Sequence, residues 1–408
     1  MTRFGHAALP LWGLDPNVLY LNHGTVGAPP RRVLAKQQEI RDQIERQPSL
    51  FLLRELAAIS HGAPDRTKPR IREAADAVGA FLGARGDDLV FVENASTGVN
   101  AVLRSMRFAP GDEILIPDVA YGGVAYSVDY VARVSGATVR TLDLPFPVRD
   151  PKEWVHAIAG AITPRTRLAV IDHITSESAL LMPVAEIARA CHEKGVPVLV
   201  DGAHGPGAIA FEIEALGVDW YTGNLHKWGW SPRSCGILWA APARQKDLHP
   251  TVISWGLDQG FTTEFDWVGT HDPSAALAAP EAIAMMRDLG VDAIRKWNHD
   301  LAWEAAQLLT RSWGTKLEAT EAMIGTMATV PLPPALGTLK EEAGRLRDAL
   351  LFEEGIEVPV HPWRGGLWTR VCAQIYNERG DYERLAQAIL ARVPARVPAR
   401  LTGPATRS

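Results

Sequence analysis

The chain has 408 residues, 47% of them apolar and 22% charged, with a formal net charge of −5. Such a length can bury two full cores, and the mild negative charge argues against a dedicated nucleic-acid or anionic-membrane surface. No apolar run reaches the length that crosses a bilayer, and Cys191, Cys235 and Cys372 are scattered without a CxxC pair, so a cytoplasmic protein with no metal centre is expected.

The opening MTRFGH lacks a charged head before an apolar core, so no export signal is expected. A short strand over 18–21 hands over to a tight loop carrying Asn22, His23 and Gly24, a usual place for ligand contacts, although a plain turn would read the same way. Helical periodicity covers 31–56, broken at 47–49, and returns over 69–82 with Ile71, Ala74, Ala75, Val78 and Phe81 on one face. A strand at 88–92 leads into a helix opened by residues 93–100. Ser96, Thr97 and Gly98 there offer hydroxyls and free backbone N–H groups, which suit either a helix cap or a bound anion. Strands at 113–117, 138–142 and 167–171 then alternate with helices at 122–135, 152–162 and 184–194. That rhythm predicts an α/β fold with a mostly parallel sheet covered on both faces. Tyr121 lies just past one strand end, and Thr175 and Ser176 follow another.

Residues 197–239 concentrate the chemistry. A buried strand at 198–200 ends on Asp201, which points into the crevice where open α/β sheets bind ligands. His204 sits in the glycine-rich turn that follows. Lys227 stands among Trp220, Tyr221, Trp228 and Trp230, a desolvating setting that lowers a lysine pKa as Schiff-base chemistry requires. A carboxylate paired with such a lysine is the pattern of a pyridoxal phosphate site. The plain alternative makes Asp201 a turn cap and Lys227 a solvated surface residue. After a strand at 236–239, the loop 254–272 is too apolar for free solvent, so a partner is expected to cover it. Helices at 280–289, 294–310 and 338–354, with strands at 326–331, 358–360 and 367–371, form a smaller α/β domain. The proline–arginine tail from 393 has no core face and is expected to be disordered.

Asp201-Gly-Ala-His204 with Gly223-Asn-Leu-His226-Lys227-Trp228 resembles the signature of the class V aminotransferases, and within them the isopenicillin N epimerase-like branch. The segment LNHGTVGAPP (21–30) resembles that branch's opening, with Thr25-Val26 in place of its usual residues. The resemblance runs to about Asn377, with the motifs in family order. It implies pyridoxal phosphate fold type I, the aspartate-aminotransferase-like architecture. In it an N-terminal segment (1–21) packs on the small domain, a large cofactor domain covers 22–272, and a small C-terminal domain covers 273–392.

The implied cofactor is pyridoxal 5'-phosphate, with Lys227 as its Schiff-base anchor and Cα base, Asp201 at the pyridine nitrogen and His204 at the ring hydroxyl. Tyr121 would stack on the ring and Ser176 would touch the cofactor. Ser96, Thr97, Gly98, Asn224 and His226 would hold the phosphate, joined by Thr270 of a second subunit in a homodimer with shared sites. Asn22, His23 and Arg370 are implied at an amino-acid substrate, Arg370 gripping its carboxylate as a fork. His271 departs from a position that is frequently arginine, which leaves a substrate contact from that loop open. The implied chemistry starts at Cα and is epimerase-like or aminotransferase-type. A C–S lyase and a catalytically idle scaffold are the alternatives. Epimerisation needs a second proton donor, for which His23, Tyr121 and His271 are unranked candidates. A cysteine desulfurase is disfavoured because 318–334 holds no cysteine.

Overall fold

The computed structural model describes residues 4–57 and 66–394. A two-residue strand, β1 (Leu19–Tyr20), precedes the strands of the central sheet: β2 (Leu89–Val92), β3 (Glu113–Pro117), β4 (Thr138–Leu142), β5 (Thr166–Asp172), β6 (Val198–Gly202), β7 (Trp220–Asn224) and β8 (Gly236–Ala240). Their order is β2-β8-β7-β6-β5-β3-β4. Pairing is parallel from β4 through β7, and β8 runs antiparallel to both of its neighbours.

The sequence explains the layering. Side chains alternate faces along a strand, so Val198 and Val200 of β6 enter one core with Trp154 and Ile187, while Leu199 enters the other with Val99 and Val128. Both faces are therefore covered, as a parallel sheet requires. The edge strand β4 is polar and partly exposed, which blunts it against pairing with another chain.

The small domain holds an antiparallel sheet of β9 (Met327–Pro331), β11 (Val360–Trp363) and β12 (Gly366–Cys372), ordered β11-β12-β9. The short β10 (Ile356–Glu357) pairs in parallel with β1, and Leu21 lies in the small-domain core, which ties the N-terminal segment to that domain.

Several expectations shift. The helix expected over 31–56 is Arg31–Arg46, then a short turn at Pro48–Leu50 and a π-helical turn at Phe51–Leu56. Of the strand expected at 358–360 only Val360 lies in a strand, β11, and 358–359 link β10 to it. A domain boundary after 272 falls too early, because Ala275, Ala279 and Ile283 pack into the large-domain core. The long helix Val291–Trp313 spans both bodies: Ile294 lies with Trp12 and Trp230, and Leu301 to Leu309 lie in the small-domain core. Inside the loop 254–272 a short helix, Phe261–Asp266, buries Phe261 and Phe265, while Val252, Ile253, Trp255 and Leu257 stay exposed. The helix Arg379–Leu390 was not anticipated, although Tyr382, Leu385, Ala386 and Ile389 are buried at helical spacing. The tail from 395 lies outside the described residues. Among the described residues no helix is long and apolar enough to cross a membrane.

Candidate active site

Because β5, β6 and β7 run parallel, their C-terminal residues Asp172, Asp201 and Asn224 emerge along one edge of the sheet. They border a cavity of about 280 Å3 that is also lined by Thr25, Asn94, Ser96, Tyr121, Ser176, His204, His226 and Lys227. This is the crevice position that open α/β sheets offer to ligands.

Lys227 sits on a turn held by two other segments, the loop 23–27 and Gly207. Gly27 (φ +67°) lies so close to the His226 carbonyl that a Cβ there would collide with it. Gly207 (φ +88°) presses in the same way on the Trp228 carbonyl. Only glycine combines that conformation with so close an approach. Between these two contacts, His23 Nε2–H donates to the Lys227 carbonyl at 3.1 Å. Its Nδ1 then accepts from the Tyr376 hydroxyl at 2.9 Å, and burial keeps the ring neutral, with its pKa pushed down to about 4.

The amine gives up its proton more readily than an ordinary lysine. Trp228 Nε1–H can only donate, so His204 Nδ1 accepts it at 3.3 Å. A neutral His204 then carries its proton on Nε2, which lies 3.3 Å from Lys227 Nζ, and only an uncharged amine can accept that proton. Burial, seconded by the Arg370 guanidinium, eases that loss of charge: it brings Lys227 from 10.5 down to about 8, against the opposing pull of Asp201.

Asp201 is buried, and one carboxylate oxygen accepts the Ala203 N–H at 3.0 Å. Burial raises its pKa, while the Ala203 N–H and the Lys227 charge hold it down. A buried carboxylate with no ion pair among the described residues suits a ligand bearing a cationic N–H, as a protonated pyridine does. At the start of helix Ala95–Ser105 the donors are arranged for an anion. Asn94 caps that helix by accepting Thr97 N–H, and Ser96 of its first turn lines the cavity. Asn224 Oδ1 accepts Ala95 N–H at 2.8 Å, so its Nδ2 remains to donate, and His226 is fixed through Nδ1 to the Cys235 carbonyl. These residues fit pyridoxal phosphate: a carboxylate for the ring nitrogen, an amine for the aldehyde, and donors at a helix N-terminus for the phosphate.

Arg370 lies behind the cavity wall. Its fork donates to the Ser176 carbonyl at 2.6 Å and to Thr25 Oγ1 at 2.7 Å, and its Nε is buried without a partner.

The structure thus gathers Ser96, Tyr121, Ser176, Asp201, His204, Asn224, His226 and Lys227 at one cavity, with Arg370 reaching two lining residues. Others stand elsewhere. Gly98 is buried against Thr222 Oγ1 and serves close packing of its helix on β7. Thr97 turns its hydroxyl to Asn94 and lines a neighbouring groove with Arg233 and His271. Asn22 donates to Glu357 and borders a separate pocket. Both ring nitrogens of His23 are engaged away from the cavity. Thr270 is exposed and borders neither that cavity nor the groove. Sequence reasoning passed over Asp172, Asn94 and Thr25. Asp172 shares the strand-end position that singled out Asp201, and Asn94 is a strong cap residue directly before its helix.

The family model described as aminotransferase class-V matches residues 48–335. A probable chloroplastic L-cysteine desulfhydrase of Arabidopsis thaliana is 34% identical, the match covering 92% of this chain and 83% of that protein. The isopenicillin N epimerase of Streptomyces clavuligerus is 32% identical over 92% of this chain and 95% of the relative. Among solved structures, the cystine C–S lyase C-DES in complex with cysteine persulfide superposes with a TM-score of 0.75 at 21% identity, covering 93% of this chain and 99% of that one.

Proposed function

This chain belongs to the class V aminotransferase family, whose cofactor is pyridoxal 5'-phosphate, and on that premise we propose that it is a C–S lyase acting on a cysteine-like amino acid. The observation that carries this reading is the single poised base at the cavity. Lys227 is there with its pKa near 8, while His23 and His271, two of the three candidates for a second proton donor, point elsewhere. Elimination needs one base. A thiol, with an unperturbed pKa of about 8.5, is a weak enough base to depart without an acid.

The cofactor, when bound, takes up the electron pair left as a bond to Cα breaks, provided that its ring nitrogen stays protonated. Asp201 would hold that proton at the nitrogen, and a buried carboxylate does so more strongly than water can. Ser96, Asn224 and His226 would bind the phosphate. His204 Nε2–H would donate to the ring hydroxyl oxygen, its tautomer fixed by Trp228. Arg370 would orient the substrate carboxylate, and Lys227 Nζ would take the Cα proton. Tyr121, half exposed at the cavity, would cover the ring.

Tyr121 also supports a second reading. It is the one candidate donor left at the cavity, and an epimerase could use its hydroxyl to reprotonate Cα. Incubating the enzyme with L-cysteine in heavy water, and following sulfide, pyruvate and D-isomer, separates the two. The lyase reading expects sulfide and pyruvate in equal amounts, retained in Tyr121→Phe. Formation of D-isomer without pyruvate, abolished in Tyr121→Phe, would make the enzyme an epimerase.

We propose further that the working form is a homodimer in which Thr270 serves the neighbour's phosphate site. The exposed Val252, Ile253, Trp255 and Leu257 support this, as an apolar surface close to the Thr270 loop that a second copy would cover.

A further inference from the structure

Asp172 is an ionisable group at the cavity with no part in the chemistry above. It ends β5, Asp201 is the last residue but one of β6, and the two are register partners on adjacent parallel strands. Partners of that kind stand about 4.8 Å apart and turn their side chains to the same side. Both line the one cavity, and they are only 3% and 4% exposed.

Two carboxylates buried side by side cannot both ionise at ordinary cost, so one keeps a proton. The surroundings decide which. Lys227 bears on Asp201, whereas the one charged side chain bearing on Asp172 is Asp201 itself. Tyr221 stands on β7, on the far side of Asp201 from Asp172, and His204 and Tyr121 line the same cavity. Burial first, and Asp201 second, hold the Asp172 carboxyl well above the usual carboxylate range.

We propose that Asp172 is a positioning residue of the cofactor site that works as the un-ionised acid. The Asp172–Asp201 pair then carries one negative charge, lodged on Asp201 opposite the cofactor's pyridine nitrogen. The inference rests on the assignment of Asp201 to that nitrogen. A neutral Asp172 leaves the ring one counter-charge instead of two.

Infrared spectroscopy of the holoenzyme at about pH 8 tests this, because an un-ionised carboxylic acid shows a C=O band that a carboxylate lacks. Other carboxyls, Asp266 with its pKa raised to about 6 among them, are common to both proteins, so the difference between wild type and Asp172→Asn assigns the band. Wild type is expected to show the band, and Asp172→Asn to lose it. Equilibrium dialysis of pyridoxal phosphate with both proteins should give affinities within about threefold, since an amide replaces a neutral acid of the same shape. Absence of the band from wild type overturns the proposal without any variant. Its survival in Asp172→Asn overturns it too, by placing the proton elsewhere. So does a loss of affinity of about tenfold or more, the worth of one pKa unit of removed charge. Neither readout needs turnover, so failure of the lyase assay leaves this inference standing, and its failure leaves the lyase reading standing.

Discussion

Replacing Lys227 by methionine should stabilise the cofactor-free protein near neutral pH. The two side chains are similar in length, so packing changes little while the amine disappears. In the folded protein Lys227 titrates at about 8, against 10.5 for an ordinary lysine, because burial and Arg370 disfavour its charge. At 1.36 kcal/mol per unit that difference corresponds to about 3 kcal/mol. Between those two values the unfolded chain holds a proton that the folded chain has released, so stability rises with pH across that window. Below about 8 the wild type bears the whole penalty, and above 10.5 it bears none. Urea denaturation of apo wild type and apo Lys227→Met, compared by midpoint near neutral pH and again above the window, reads the effect directly. The variant should lead by about 3 kcal/mol in the first condition and by nearly nothing in the second. Equal stabilities near neutral pH would show that Lys227 is not strained by its charge. A gap that stays open above the window would trace the gain to packing.

Asp201→Asn should keep a borohydride-reducible cofactor on Lys227 but lose turnover by about 10- to 1000-fold, the range set by an opposite charge within 4–6 Å; steady-state kcat beside the reduced adduct would show it, and near-normal kcat would remove Asp201 from the chemistry. Arg370→Lys should raise KM for the amino acid by about tenfold or more, because a charge-assisted fork worth about 1.5–3 kcal/mol becomes a single point contact. An unchanged KM would place the carboxylate elsewhere. Mixing inactive Lys227→Ala with inactive Thr270→Ala subunits should restore part of the activity if Thr270 acts across a dimer, since one site of a mixed pair then carries neither lesion. A mixture that stays dead, or an active monomer in sedimentation, would place Thr270 outside the neighbour's site.

The repeating part of the fold was the most legible. The strands at 113–117 and 138–142 and the helix at 122–135 fall on the expected residues, because β-branched runs alternate there with helical faces and glycines close each unit. Boundaries governed by tertiary packing were not legible. Nothing local shows that Ala275, Ala279 and Ile283 belong to the large-domain core. The helix Arg379–Leu390 has readable helical spacing, but it is short and sits between a strand and a proline–arginine tail, so few residues flank it to frame it. At the site, a strand-end motif tells where a residue stands and not which way it faces. His23 and Gly98 share that ambiguity with Asp201, and both turned out to hold backbone and helix in place. Asp172 was missed for the complementary reason. Spacing paired one strand-end acid with the lysine, and only the sheet register sets the second beside it.

The grip on the lysine turn bears on how the protein is made. Residues 23–27 come from the start of the chain and Gly207 from its middle, and Tyr376, which orients His23, comes from near its end. Gly24 N–H also reaches Cys372 Sγ, so the contacts of the N-terminal loop are complete only with the last strand in place. Until then Lys227 is an ordinary protonated lysine, slow to attack an aldehyde. A chain still leaving the ribosome would therefore be spared stray condensation with cellular carbonyl compounds at this position. Its nucleophile is switched on by the completion of folding itself.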